Sequence, residues 1–193
     1  MLMDLITNKM LKAVLIVSLA LGLLLSGCSS DESNQDGPPL GMITDYEVDY
    51  SQRLEAHKPA PDFQFQDSEG EILFLSDLQG KAVLLNFWQT RCPPCVYEMP
   101  FLQQVYEEWS DKGLVLLAIN VGESSSKVKD FLQSHDLSLP VLLDTKLSVS
   151  RLYGIQAFPT TFLTDKDRLI EGYKVGAFQS REEIEAGIRM VLP

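Results

Sequence analysis

The chain has 193 residues, enough for one ordinary domain with additional segments. Its apolar share of 45% can supply a packed core, which argues against a disordered protein. The formal net charge is −11 and the chain has no Lys- or Arg-rich run, so nucleic acid is not an expected partner. Acidic charge of this size mainly favours solubility.

The N-terminus has the order of an export signal. Lys9 and Lys12 form a short basic region, and residues 13–25 after it carry no charge. This apolar run is too short to span a bilayer as a helix, which takes about 20 residues, but it fits the core of a secretory signal. It ends in Leu-Ser-Gly-Cys at residues 25–28, which resembles the lipobox of bacterial lipoproteins. The alternatives are an uncleaved anchor and an ordinary signal peptide with a chance cysteine.

The lipobox resemblance implies that residues 1–27 are a signal peptide and that the sulfur of Cys28 carries lipid. The protein would then be anchored outside the cytoplasm, on the outer face of the cell membrane or in the periplasm, where disulfides persist. A lipidated sulfur cannot exchange, which leaves Cys92 and Cys95 as the reactive thiols. The mostly polar segment 28–58 is predicted to be a flexible tether.

Residues 59–193 are predicted to form one α/β domain, because short apolar runs typical of strands alternate with helical patterns. A hairpin opens it and a second hairpin with a terminal helix closes it, which implies helices around a mixed sheet. In chain order the predicted elements are a hairpin over residues 63–75, a strand at 82–88, a helix at 95–110 interrupted by Pro100, a strand at 114–121, a helix at 125–135, a strand at 140–143, a short helix at 147–153, a hairpin of strands 160–164 and 169–175, and a helix starting at the Ser-x-x-Glu capping box of residues 180–183.

The two remaining cysteines stand between a buried strand and a helix, separated only by Pro93 and Pro94. A structural zinc site needs four ligands, and one Cys pair with two distant histidines does not supply them, so no metal is predicted. A structural disulfide over so short a loop would remove little chain entropy. Redox chemistry fits better, because a helix N-terminus stabilises a thiolate and Arg91 adds positive charge. Cys92 is the expected nucleophile, and the more buried Cys95 would resolve the mixed disulfide.

Several motifs together resemble the thioredoxin superfamily. They are Phe87-Trp88, Cys-Pro-Pro-Cys at 92–95, Pro100 in the following helix, and Tyr-Gly-Ile-Gln-Ala-Phe-Pro-Thr at 153–160. Within that superfamily the chain most resembles the membrane-tethered TlpA/ResA-like thiol-disulfide oxidoreductases of the AhpC/TSA-redoxin type. The resemblance covers residues 60–193. It implies a thioredoxin-like fold with a mixed central sheet flanked by helices, an N-terminal β-hairpin, and a helix-strand insertion at about residues 124–145.

The same resemblance implies a substrate-binding surface around the two sulfurs. Pro159 would have a cis peptide bond, and the backbone of Phe158 would pair with a substrate chain as a short added strand. An ordinary trans proline before a strand is the alternative. The expected substrate-binding residues are Trp88, Arg91, Pro93, Pro94, Phe158 and Pro159. Arg91 stands where the family commonly has Trp, which leaves the substrate preference open.

Two further positions distinguish the chain from cytoplasmic thioredoxins. Thioredoxins usually have a buried Asp six residues before the first Cys, but Asn86 occupies that place here and cannot titrate. Glu98 matches the acidic position that ResA-like proteins have near their thiols. Three residues after Cys95 on a helix, its carboxylate could oppose thiolate formation and relay the proton of the resolving thiol. The alternative is a solvated helix residue.

The predicted function is reduction of disulfides in exported proteins, with apocytochromes c before haem attachment as one candidate substrate. The resemblance implies re-reduction by a membrane electron carrier of the CcdA or DsbD kind, and no cofactor besides the redox-active disulfide. Three alternatives stand beside it. An oxidase of the same fold would form disulfides, a thiol peroxidase is suggested by the peroxiredoxin-like start at residues 60–63, and a binding lipoprotein would use no chemistry. Peroxiredoxins have Thr or Ser three residues before the reactive Cys, where this chain has Gln89.

Overall fold

The computed structural model describes residues 38–44 and 54–192. The predicted signal peptide and Cys28 lie outside these residues, as do residues 29–37 and 45–53 of the predicted tether. No helix within the described part of the chain is both long enough and apolar enough to cross a membrane.

One mixed sheet runs through the domain. In chain order its strands are β1 (Gly41–Ile43), β2 (Gln64–Gln66), β3 (Ile72–Phe74), β4 (Ala82–Trp88), β5 (Leu114–Val121), β6 (Val141–Asp144), β7 (Thr160–Thr164) and β8 (Ile170–Val175). Across the sheet the strand order is β3-β2-β1-β6-β5-β4-β7-β8. The four strands β1, β6, β5 and β4 are parallel to one another, and the remaining pairs are antiparallel. The neighbouring strands β4 and β5 are buried along nearly their whole length.

Helices cover both faces of this sheet and divide the core into two clusters. The four described helices are α1 (Pro93–Trp109), α2 (Ser125–Ser134), α3 (Ser148–Leu152) and α4 (Arg181–Val191). On one face, α1, α2 and α4 bury residues such as Met99, Val128 and Ile188. On the other face, α3 and the chain before β2 enclose an aromatic cluster that includes Phe63 and Tyr153. The two cysteines follow the end of β4, and Cys95 belongs to the first of these clusters.

The predicted fold class is confirmed, including its two distinguishing additions. Strands β2 and β3 form the N-terminal hairpin. The insertion predicted for residues 124–145 forms α2 and β6, and β6 lies between β1 and β5 in the sheet. Pro100 lies inside α1, which continues through it.

The prediction of a flexible tether over residues 28–58 is wrong for part of that segment. Gly41 and Met42 pair with β6, and Met42 and Ile43 pair with β2, so β1 lies within the sheet. Residues 57–58 are also fixed, since their backbone exchanges hydrogen bonds of 2.8 and 2.9 Å with Ile170. A strand of three residues is too short to show a period-2 alternation, and its partners are distant in sequence.

Replacement of Gly41 by Ala tests the place of β1 in the fold. A Cβ at Gly41 would lie 2.5 Å from the backbone oxygen of Gln66 and 2.6 Å from a methyl carbon of Leu142. We therefore expect Gly41→Ala to lower the free energy of unfolding by about 1–3 kcal/mol, as overpacking does in a close-packed interior. Urea denaturation measures this change.

Gly172→Ala is the matched control for this prediction. A Cβ at Gly172, in strand β8, meets no atom within 4 Å. Its replacement should change the free energy of unfolding by no more than about 0.5 kcal/mol. If Gly41→Ala were equally neutral, residues 41–43 would behave as the tether that the sequence suggested.

Candidate active site

The two cysteines form a disulfide at the first turn of α1, with their Cα atoms 5.2 Å apart. Cys92 is the N-cap of this helix, and its sulfur accepts a hydrogen bond from the backbone amide of Cys95 at 3.2 Å. Cys92 is partly exposed, whereas Cys95 is completely buried. The predicted roles require this difference, because a substrate disulfide can reach only the exposed sulfur.

Local sequence explains why α1 begins at this point. Strand β4 ends at Trp88, and a turn follows in which the amide of Cys92 donates to the carbonyl of Gln89 at 3.2 Å. Pro93 and Pro94 occupy the first two helical positions, where a backbone donor has no partner within the helix. The prolines therefore fix the helical start without loss of a hydrogen bond.

Glu98 is completely buried on the same helix, one turn after Cys95. The side-chain amide of Asn86 donates to one carboxyl oxygen, and the backbone N–H of Phe178 donates to the other, each at 2.8 Å. Burial raises the pKa of Glu98 to about 7, although both hydrogen bonds and the nearby Lys174 lower it. The alternative of a solvated helix residue is therefore excluded. A carboxyl group with a pKa near neutrality can both hold and release a proton under physiological conditions.

Asn86 is suited to both protonation states of Glu98. Its Nδ2 also donates to the hydroxyl of Thr161 at 2.9 Å, while its buried Oδ1 has no hydrogen-bond partner within the described residues. An amide side chain presents a donor on one side and an acceptor on the other. Asn86 can donate to the carboxylate, as it does here, or turn over and accept from the carboxylic acid. Asn86, at the position where thioredoxins usually have a buried Asp, thus supports the carboxyl group of Glu98.

The predicted cis peptide bond between Phe158 and Pro159 is confirmed. It directly precedes β7, whose first residue, Thr160, pairs with Phe87 near the end of β4. Pro159 is buried, and the half-buried Phe158 packs against the same hydrophobic cluster as Cys92. The alternative of a trans proline is excluded, and the substrate-pairing role of Phe158 stays a prediction.

The other residues predicted to bind substrate divide by exposure. Arg91, Pro93 and Pro94 are exposed beside the disulfide and are open to a second chain. Trp88 has no exposed surface, and its ring lies 5.3 Å from that of Phe131 in α2. The prediction that Trp88 contacts substrate is therefore wrong, because a fully buried ring presents no surface to a second chain.

Two contacts of the site were not predicted. The Phe178 amide that bonds Glu98 is 80 residues away along the chain, and Glu123 accepts hydrogen bonds from Thr90, 33 residues before it. Both contacts depend on which segments meet beyond the carboxyl ends of the strands. No local sequence pattern marks them.

Residues 56–172 match the family described as the AhpC/TSA family. The chain belongs to this family, within the thioredoxin superfamily. The thiol-disulfide oxidoreductase ResA of Bacillus thuringiensis (strain Al Hakam) is 33% identical over 186 residues, which are 96% of this chain and 98% of that protein. Together with the disulfide of a partly exposed Cys92 and a buried Cys95, this similarity shows that the chain is a thiol-disulfide oxidoreductase.

Solved structures of similar proteins agree with this assignment. A thiol:disulfide interchange protein of the thioredoxin family from Chlorobium tepidum TLS superposes with a TM-score of 0.61 at 28% identity, over 74% of this chain and 100% of that chain. The pneumococcal exposed lipoprotein thioredoxin (Etrx1) from Streptococcus pneumoniae strain TIGR4 superposes with a TM-score of 0.58 at 27% identity, over 67% of this chain and 98% of that chain. The fold and the AhpC/TSA family assignment therefore agree.

The raised pKa of Glu98 predicts a pH-dependent stability. Its pKa of about 7 in the folded protein lies above the ordinary value of 4.5, so the native state disfavours the ionised form. Below pH 4.5 the group is protonated in both folded and unfolded chains, and stability is unaffected. As the pH rises from 4.5 through 7, the buried charge should cost on the order of 3 kcal/mol, at about 1.4 kcal/mol per pKa unit. Glu98→Gln removes this titration, so the oxidised variant should gain stability relative to the wild type between pH 4.5 and pH 8.

Urea denaturation of both oxidised proteins at the two pH values checks this prediction. Glu107→Gln, at an exposed position of the same helix, controls for the loss of one negative charge. A stability difference between wild type and Glu98→Gln that is the same at pH 4.5 and pH 8 would contradict the assigned titration.

Proposed function

We propose that this chain is a lipid-anchored disulfide reductase that works outside the cytoplasm and reduces disulfides in exported proteins. The observation that carries this direction of electron flow is the buried carboxyl group of Glu98, one helical turn after Cys95. Negative charge near a thiol disfavours the thiolate. A dithiol whose thiolate is less stable is the stronger electron donor, because stabilisation of the reduced form is what makes a dithiol-disulfide couple oxidising.

The residues of the site account for each step of the reduction. The thiolate of Cys92 attacks one sulfur of the substrate disulfide, and a mixed disulfide forms while the other substrate sulfur leaves as a thiolate and takes up a proton. Cys95 then gives its proton to the Glu98 carboxylate and attacks the sulfur of Cys92. The Cys92–Cys95 disulfide forms and the second substrate sulfur leaves as a thiol, with the proton returned from Glu98. The substrate gains two electrons and two protons, and the enzyme is oxidised.

The proposed location and partners rest on the N-terminal sequence and on the relatives. The basic region, apolar run and lipobox predict lipidation of Cys28, and one structural relative is an exposed lipoprotein thioredoxin. An enzyme that ends each cycle as a disulfide needs a donor of two electrons. A membrane carrier of the CcdA or DsbD kind would supply them across the membrane, and apocytochromes c are candidate substrates among exported proteins.

The geometry disfavours the peroxidase alternative. A peroxidase of this family needs a hydroxyl group beside the reactive sulfur. The hydroxyl of Thr90 instead donates to Glu123 at 2.8 Å, and the side chain of Gln89 donates to the carbonyl of Val121 at 2.9 Å. Efficient turnover of hydrogen peroxide by the pure protein would restore this alternative.

Trapping of substrates in cells tests the proposed function. In Cys95→Ser, the mixed disulfide on Cys92 cannot be resolved from within the enzyme, so exported proteins should accumulate in covalent complexes that dithiothreitol releases. The complexes are detected by non-reducing electrophoresis and identified by mass spectrometry. Cys92→Ser should form none of them and should lose turnover entirely.

The two cysteine variants also separate exchange from mere docking. A binding lipoprotein would function unchanged with Ser at residue 92. Retained function in Cys92→Ser, or the absence of any trapped protein with Cys95→Ser, would contradict disulfide reduction.

A further inference from the structure

The loop between β4 and α1, residues 89–91, is held by the end of the neighbouring strand β5. The side chain of Gln89 donates to the carbonyl of Val121 at 2.9 Å. Thr90 makes two hydrogen bonds to the carboxylate of Glu123, one from its backbone N–H at 2.7 Å and one from its hydroxyl at 2.8 Å. The residues directly before Cys92 are therefore attached to one adjacent segment by three hydrogen bonds.

Glu123 is a buried carboxylate with all of its acceptor capacity in use. Only 4% of its side chain is exposed. Besides Thr90, it accepts hydrogen bonds from the amide of Asn120 at 2.9 Å and from the ammonium group of Lys127 at 2.5 Å. Burial opposes ionisation, but the hydrogen bonds from Lys127, Thr90 and Asn120 hold the pKa of Glu123 below its ordinary value. A carboxylate has about four acceptor positions, so these four donors leave none for a substrate or a metal ion.

The bonds of Glu123 connect three elements at the site. Asn120 lies near the end of β5, Thr90 lies in the active-site loop, and Lys127 lies in the first turn of α2. Helix α2 belongs to the inserted segment. Through the carboxylate of Glu123, the insertion is therefore connected to the loop that precedes the reactive cysteine.

The position of the Cys92 sulfur depends on this loop. Cys92 closes the turn that begins at Gln89, and its sulfur lies 3.2 Å from the amide of Cys95 at the helix N-terminus. A freer loop would let that sulfur move away from the amide, which stabilises a thiolate. We propose that Glu123 is a positioning residue for the exchange reaction: by holding Thr90, it keeps the sulfur of Cys92 at the N-terminus of α1. The relevance of this role to catalysis rests on the proposed function, but the effect of Glu123 on the Cys92 thiol can be measured without a substrate.

Alkylation of Cys92 as a function of pH tests the proposal. The full chain carries Cys95→Ser throughout, so that one active-site thiol titrates rather than a coupled pair. Iodoacetamide labelling of the peptide that contains Cys92 is followed by mass spectrometry, with and without Glu123→Gln. Glu123→Gln should raise the pKa of Cys92, so that labelling at a pH below that pKa slows about two- to fivefold, the size of a helix N-terminal contribution. The other charged side chains around the site, Arg91, Glu98, Lys127 and Lys174, are the same in every variant.

The direction in which the pKa of Cys92 shifts distinguishes positioning from the other roles of a buried carboxylate. If Glu123 acted on Cys92 only as a nearby negative charge, its removal would lower the pKa of Cys92. If it served stability alone, denaturation would shift and the titration of Cys92 would not. Either result overturns the proposal. Glu69→Gln, at an exposed turn far along the chain from the site, removes the same charge and should leave labelling unchanged.

Thr90→Val provides a second test that keeps the carboxylate in place. It removes the hydroxyl donor and leaves the backbone N–H, so it should slow labelling in the same direction by a smaller factor. The double variant Thr90→Val with Glu123→Gln should slow labelling of Cys92 by less than the product of the two single-variant factors, because both changes break the same contact. Independent effects would overturn the proposal.

If Glu123→Gln does not fold, as judged by circular dichroism, the Thr90→Val titration decides alone. Since labelling needs no substrate, failure here is distinct from failure to trap exported proteins.

Discussion

The hydrogen bond from the amide of Cys95 to the sulfur of Cys92 is the contact on which the rest of the site depends. It places the reactive sulfur at the positive end of α1, where a thiolate is most stable. The helix can start there because β4, an interior strand of the sheet, ends at Trp88 and two prolines occupy the first turn of the helix. The cis peptide bond before β7 belongs to the same arrangement, because β7 pairs with β4 and begins where β4 ends.

Two buried carboxyl groups belong to the site, and their surroundings give them opposite properties. Glu98 accepts from two neutral donors, so burial prevails and its pKa rises to about 7. Glu123 accepts from four donors, one of them the ammonium group of Lys127, so its pKa is lowered and it stays ionised. The first group is suited to the transfer of a proton. The second is suited to a fixed electrostatic attachment, because its charge does not change over the pH range in which thiols exchange.

Local sequence features predicted most of the fold. The apolar runs of β4 and β5, the capping box at Ser180, and the Cys-Pro-Pro-Cys motif each act within a few residues, so their consequences could be read directly. The cis proline and the insertion followed from resemblance, since only comparison attaches a conformation to such short motifs. Strand β1 was missed because three residues carry no periodicity and their pairing partners lie far along the chain.

The features of the site that local sequence does not determine have a common physical cause. Whether Trp88 faces solvent depends on Phe131, a residue of the inserted helix. The burial of Glu98 depends on the loop that carries Phe178, and the ionisation of Glu123 depends on Thr90 and Lys127. Tertiary packing sets these environments. The sequence identified the residue types that can exchange electrons and protons, and the fold determines which of them are accessible, charged or neutral.

The reduction potential of the Cys92–Cys95 couple tests the central claim, that this enzyme donates electrons to its substrates. It is measured by equilibration of the full chain with defined thiol-disulfide buffers, with the oxidised fraction read by mass spectrometry after alkylation. A reductase with a carboxyl group buried one turn after its resolving cysteine should have a potential more negative than about −200 mV, toward the value of about −270 mV found for thioredoxin. A potential near −120 mV, typical of strong protein oxidants, would contradict the account and assign the enzyme to disulfide formation.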